Sequence, residues 1–240
     1  MSVRVEISVE SAAGARIAAG AGATRIELCA GLADGGLTPS AALIETAAAI
    51  IDTHVLIRPR PGGFRYTAEE IALMVRDIRL ARGYGAAGVV VGALNAAGEL
   101  APACRELVAA ADGLPVTLHR AIDVSADSIR TLDTAISWGF ARVLTSGRHA
   151  TAVAGAEMIR AMVDRAAGRV DVMACGGVRP DNAPRVVAAT GVADLHAAPR
   201  TPVGTSGPGE VSFSGVGVPA GHDRLETDAA AVAALCALFR

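Results

Sequence analysis

Eight times along the chain, a short β-branched run gives way to an Ala-rich stretch of helical period. The spacing of about 25–30 residues is that of one βα unit. The runs are Val3–Val9, Thr24–Leu28, Thr53–Arg58, Gly88–Val91, Pro115–Arg120, Arg142–Thr145, Val170–Ala174 and Ala193–His196. Helix starts are legible between them: Ser11 as an N-cap, Thr38-Pro39 as N-cap and first helical position, and a capping box at Thr67-Ala68-Glu69-Glu70. Ser125 and Thr227 read as caps in the same way, and Asp181 as the cap that leaves Pro184 harmlessly in a first turn. Eight alternating units without a linker or composition break predict one (β/α)8 TIM barrel over residues 1–240, with an open doubly wound sheet as the competing architecture. The first strand-to-helix turn, Val9-Glu10-Ser11-Ala12-Ala13-Gly14, lacks GxGxxG, so a nicotinamide cofactor is not indicated. Residues 199–226 have no period and read as a long loop after the eighth strand, a flap over the barrel mouth or plain disorder.

Composition narrows the partners. The net charge is −2, with no basic clustering of the kind that binds nucleic acid or an acidic membrane. No apolar stretch is long enough to span a bilayer and the N-terminus carries no signal-type apolar region, so a cytoplasmic location is expected. Cys29, Cys104, Cys175 and Cys236 follow no zinc or disulfide spacing and are expected to be free thiols.

Barrel strands usually bury both faces and read as continuous apolar runs, but several strands here alternate. Val3, Val5, Ile7 and Val9 share one face, and Arg4, Glu6, Ser8 and Glu10 the other; Ile26 and Leu28 oppose Arg25, Glu27 and Cys29. If the apolar faces meet the helices, then His54, Leu56 and Arg58, Thr117 and His119, and Asp194 and His196 point inward. Such a polar interior is either an ion-pair network that fixes strand register or a ligand site at the strand C-terminal ends.

The segments leaving the strands favour a site for a small anionic ligand. Arg58-Pro59-Arg60 sets two guanidiniums two residues apart, and His119-Arg120 is followed by Asp123. Ser146 with Gly147, and Gly176 with Gly177 after Cys175, can turn backbone N–H groups toward an anion or serve only as tight turns. From residue chemistry, Glu27, His119, Arg58 and His196 are the candidate catalytic groups, and Glu6, Arg60, Arg120, Asp123, Ser146, Gly176 and Gly177 the candidate substrate-binding ones.

These rim segments also resemble the CutC family. The residues that carry the likeness are Arg25-Ile26-Glu27-Leu28-Cys29, Gly35-Gly36-Leu37-Thr38-Pro39-Ser40, Ile57-Arg58-Pro59-Arg60, Asp77-Ile78-Arg79-Leu80-Ala81, Gly92-Ala93-Leu94, His119-Arg120-Ala121-Ile122-Asp123 and Arg142-Val143-Leu144-Thr145-Ser146-Gly147. The likeness runs from about Val5 to Arg200. It implies a TIM barrel, a cytoplasmic homo-oligomer and a role in copper homeostasis. Relatives with a proposed copper(I) site pair a first-strand cysteine with one after Ile-Glu-Leu; here the second is Cys29, the only transferable metal ligand, and the first position is Ser8. A hydroxyl is a hard donor that copper(I) does not favour, so weak or absent copper binding is expected. Cys175 replaces a glycine or proline-rich turn of relatives and inherits no role. The function expected from the resemblance is copper handling; from the residues alone it is an acid/base enzyme acting on a small anionic or phosphorylated metabolite.

Overall fold

The computed structural model describes residues 3–204 and 218–240. Eight parallel strands close into a ring in chain order: β1 (Arg4–Val9), β2 (Arg25–Leu28), β3 (Thr53–Leu56), β4 (Gly88–Val91), β5 (Val116–Leu118), β6 (Arg142–Thr145), β7 (Asp171–Ala174) and β8 (Asp194–Ala197), with β8 pairing back onto β1. Eight α-helices alternate with them: α1 (Ala12–Gly20), α2 (Ala41–Ala48), α3 (Ala68–Gly83), α4 (Ala103–Ala111), α5 (Ser128–Ser137), α6 (Ala156–Ala166), α7 (Ala183–Thr190) and α8 (Ala229–Ala237). This is the expected (β/α)8 barrel. No helix among the described residues is long and apolar enough to cross a membrane.

The expected alternation sets the layers. The faces carrying Val5, Ile7, Val9, Ile26 and Leu28 meet the helices in one continuous apolar core, where each fully buried Val, Ile or Leu contributes roughly 1.5–3 kcal/mol. The opposite faces fill the barrel axis, where Glu6 pairs in register with Arg25 and His196, and Glu27 with His54. The apolar side chains there form only two small clusters, Cys29 with Leu56 and Val90, and Leu144 with Met173 and Cys175. Room for the two inward histidines comes from glycines of β4 and its end. A Cβ on Gly88 would lie 2.6 Å from Cε1 of His54, and one on Gly92 2.6 Å from Cε1 of His119.

Several boundaries differ from expectation. The third strand ends at Leu56 and the fifth at Leu118, so Arg58, His119 and Arg120 lie in the turns beyond the ladder. Pro115, without an N–H, falls outside β5. Ser11 and the Thr67/Glu70 box cap α1 and α3 as read from the sequence. The caps of α2, α5, α7 and α8 are instead Ser40, Asp127, Asn182 and Asp228. Each expected residue has another task or position. Thr38 accepts from the Arg58 N–H, Ser125 donates to the Ile122 carbonyl, and Thr227 ends a strand; with Asn182 as cap, Pro184 takes the second helical position. The expected loop at 199–226 is not structureless where it is described. β9 (Arg200–Val203) and β10 (Arg224–Thr227) form an antiparallel ribbon, with Thr227 packed over Gly14 of α1. Of the segment 199–226 expected as a flap, residues 205–217 lie outside the described residues.

Candidate functional site

The barrel interior is charged from end to end. At the N-terminal end, Arg4 donates to Asp171 at 2.8 Å and also to Asp194. Asp194, 1% exposed, accepts from Arg25 at 2.8 Å, and Arg25 reaches Glu6 at 2.5 Å. One layer higher, His196 Nδ1 meets Glu6 Oε1 at 2.8 Å, while its Nε2 is 3.8 Å from Glu27. The expected ion-pair network therefore exists, and it ends at an open cavity.

That cavity, of about 560 Å³, occupies the C-terminal mouth of the barrel. It brings together Glu27, Arg58, His119, Arg120, Asp123, Gly176, Gly177 and His196 of the residues singled out above. Glu6 lies just below, bonded to His196. Arg60 is not on the cavity wall: its guanidinium pairs with Glu70 at 2.5 Å and lies over the Tyr66 ring, because α3 starts beside it. Cys29 also lies outside the wall, fully buried. Phe64, Cys175, Arg179 and Arg200 also line the cavity, and the sequence reading assigned none of them a site role, although Cys175 and Arg200 stand in the segments leaving β7 and β8.

The groups on the wall are in different chemical states. Glu27 lies in the upper layer; its Oε2 accepts from Ser8 at 3.1 Å, and its other oxygen has no hydrogen bond among the described residues. Burial raises its pKa, nearby His196 partly offsets this, and Glu6 adds to it. Burial also disfavours a charged Glu6, but His196 and Arg25 outweigh it and hold Glu6 well below the usual carboxylate range. Those two carboxylates likewise overcome burial at His196 and keep its pKa high, so its imidazolium belongs to the network.

His119 is the opposite case. Burial, then the Arg58 charge, pushes its pKa down to about 3, so the ring is neutral at physiological pH. Its Nδ1 accepts from the Ala121 N–H at 3.2 Å, which puts the proton on Nε2. That Nε2 is buried without a partner. The ring lies against Phe64, centroids 4.6 Å apart and planes tilted by 40°, and the Arg58 guanidinium lies over the Phe64 ring, 5.5 Å from its centroid.

Arg58 does not present a free fork. Its Nη1 donates to the carbonyls of Asp34 and Gly36 at 3.0 and 2.7 Å, and its Nη2 to that of Gly62 at 2.8 Å. It therefore ties the loops after β2 and β3 and supplies charge near His119. Asp123 is an organiser too. Its carboxylate accepts from Thr145 Oγ1, the backbone N–H groups of Ser146 and Arg148, and Arg120. This commits the Ser146 N–H, and it holds Gly147 and Arg148, both at φ 66°, in the left-handed region. In contrast, the N–H groups of Gly176 and Gly177 meet no protein acceptor among the described residues.

Donor atoms of Glu6, Glu27 and His196 lie within 4.8 Å of one another, close enough to surround a cation. Arg25 already supplies positive charge to that cluster through Glu6, so it reads as an ion-pair network. At Cys29 the sulfur has Ser8 Oγ and the Val9 carbonyl as polar partners, each at 3.7 Å. Burial, reinforced by Glu27, keeps the thiol protonated. A lone protonated thiol beside a hydroxyl does not fit copper(I), which binds thiolate or thioether sulfur.

Fold and interior together define a (β/α)8-barrel protein with an ionisable cluster at the C-terminal mouth. A family model described as the CutC family matches residues 3–201. The chain belongs to the CutC family. It is 42% identical over 197 residues to a family protein CutC of Pasteurella multocida, covering 81% of each chain. To one of Xanthomonas campestris pv. campestris it is 45% identical over 205 residues, 83% of this chain and 84% of the relative. The crystal structure of the candidate copper homeostasis protein CutC of Streptococcus agalactiae superposes with a TM-score of 0.77 at 31% identity, over 81% of this chain and 97% of that one.

Proposed function

We propose that this barrel is an enzyme acting by acid/base chemistry on a small anionic metabolite. The observation that carries the reading is one cavity in which a buried carboxylate of raised pKa, Glu27, and a neutral histidine with an unpartnered N–H, His119, share the wall with Arg179 and Arg200. Perturbed titratable groups gathered in one concave site are what acid/base chemistry requires. A cytoplasmic, self-associating protein belongs to the same reading, supported by family likeness and, for self-association, by Leu73 and Leu80 of α3 and Tyr84 at its end, which are exposed.

Thermal shift against small carboxylates and phosphate esters tests it, because a ligand at 100 times its Kd stabilises the folded state by about 2.7 kcal/mol. At least one compound class is expected to raise Tm. Arg179→Ala and Arg200→Ala are expected to weaken binding about 10- to 100-fold, the loss of one charged hydrogen bond. Arg60→Ala, whose side chain is engaged with Glu70 outside the cavity, is expected to leave binding unchanged. No shift with any compound, or equal losses in all three variants, would contradict the reading.

The name of the Streptococcus agalactiae relative speaks of copper homeostasis, which makes copper(I) at Cys29 the second reading to test. The donor set around Cys29 argues against a tight site here. Reduced wild type and Cys29→Ser are expected to show the same copper(I) affinity in competition with a chelator. A weakening of about tenfold or more in Cys29→Ser, roughly 1.4 kcal/mol, would restore Cys29 as a ligand.

A further inference from the structure

We infer that the reaction at this mouth is enolisation: Glu27 takes a proton from the carbon beside a carbonyl group while His119 Nε2–H donates to the carbonyl oxygen. The inference rests on the acid/base reading above and names its reaction and substrate class, a small carbonyl compound bearing a carboxylate or phosphate.

The argument begins at His119. Its Nδ1 is committed to the Ala121 N–H, so neither ring nitrogen is free to act as a base, and what the ring offers is one buried donor. A neutral donor suits a carbonyl oxygen that becomes an enolate, since its hydrogen bond strengthens as negative charge develops. Gly92 and Phe64 clamp the ring from two sides, so the donor is fixed before any ligand arrives.

The base is on the same wall. Ser8 occupies one oxygen of Glu27, and the other has no partner among the described residues. A carboxylate made more basic by burial is better matched to a weakly acidic C–H than an ordinary surface glutamate. The anionic end of the ligand has its own subsite, the N–H groups of Gly176 and Gly177, which have no acceptor among the described residues, with Arg179 beside them. A Cβ on Gly176, whose φ is 93°, would stand 3.1 Å from the Ala150 carbonyl oxygen, so the turn that carries these N–H groups is held to glycine by its left-handed backbone and by packing against the loop before α6.

Competing covalent chemistries lack their groups. The chain contains no lysine, so no Schiff base can form on a lysine side chain. The Ser146 hydroxyl is held among Asp123, Arg120 and the His149 carbonyl. Cys175, on the cavity wall, is kept as a thiol by burial. In the proposed step the C–H pair becomes the C=C bond, the carbonyl π pair moves to oxygen, and the Glu27 carboxylate holds the proton. Its return to the same carbon restores the carbonyl compound, and no oxidant or reductant is required.

The test follows hydrogen exchange. The full chain is incubated in D2O with three- to six-carbon aldehydes and ketones carrying a carboxylate or a phosphate, and loss of the proton beside the carbonyl is read by 1H NMR. At least one compound is expected to exchange faster than with buffer alone, and the rate is expected to rise with pH as Glu27 ionises. Glu27→Gln is expected to slow exchange about 100- to 10,000-fold, and His119→Gln about 100- to 1,000-fold, with Arg60→Ala equal to wild type. Should Glu27→Gln not fold, the wild-type pH profile and His119→Gln carry the test. Thermal shift on the same compounds separates the two readings. Binding without exchange, or exchange unaffected by both substitutions, overturns enolisation and leaves the anion site standing; neither binding nor exchange overturns both.

Discussion

Asp194→Ala is expected to destabilise the barrel by about 3–5 kcal/mol, the cost of breaking a buried ion pair by removing one partner. Asp194 is the shared acceptor for Arg4 and Arg25, and Arg142 approaches it at 3.8 Å. Arg25 and Arg142 are buried. Without the carboxylate, Arg25 is left with Glu6 alone and Arg142 with only Asp171, 3.8 Å away. At about 2–4 °C per kcal/mol for a chain of this size, the midpoint should fall on the order of 10 °C. Urea unfolding of wild type and variant measures it. A change under about 1 kcal/mol would mean that the interior charges are solvated and not a closed network.

Acidification gives the second large effect. His54 and His119 are held down to about 4 and about 3 by burial, against an ordinary value of 6.5. Between pH about 5.5 and about 4.5 the unfolded chain therefore carries two protons that the folded protein refuses, and stability falls as pH falls. Two protons correspond to about 2.7 kcal/mol per pH unit. Glu27 acts with the opposite sign, because its raised pKa lets the folded state take a proton first, and it removes at most one. Glu6, held low by His196 and Arg25, adds to the loss with the sign of the histidines near the lower end of the window, so the net loss is at least about 1.4 kcal/mol per pH unit. His196, raised by Glu27 and Glu6, is protonated in both states through this window and contributes little to the slope. Urea titrations at three pH values read the slope directly. His119→Gln should make it shallower by about 1.4 kcal/mol per pH unit, and an unchanged slope would mean that His119 is not buried as a neutral ring.

The barrel was legible because alternation along β1 and β2 separates Val5, Ile7, Ile26 and Leu28, which face helices, from Glu6, Arg25 and Glu27, which face the axis. Strand parity alone therefore collected most of the site. It could not tell which rim arginine looks inward. Arg58 and Arg60 have the same parity, but beyond Leu56 the ladder no longer dictates direction, and the start of α3 draws Arg60 to Glu70. Nor could it show that Asp123 and Arg58 are consumed by backbone partners, since those contacts join loops about 22–25 residues apart in sequence. Phe64 escaped notice because a single aromatic in a Gly-rich turn has no period; its role exists only once the ring of His119 is seen against it. The ribbon of β9 and β10 escaped for a related reason. Pro202 lies within β9 and the pairing spans the segment between Val203 and Arg224, leaving no local hairpin signal.

The most direct test of the site is the state of His119. Long-range 1H–15N spectra of histidine-labelled protein, recorded from pH about 8 to about 4.5, report tautomer and charge for each ring. His119 is predicted to remain neutral throughout with its proton on Nε2, because burial and Arg58 disfavour the imidazolium and the Ala121 N–H occupies Nδ1. A ring that titrates near 6.5, or one that carries its proton on Nδ1, would contradict the account, since the donor at the mouth would then be absent or the site open to bulk water.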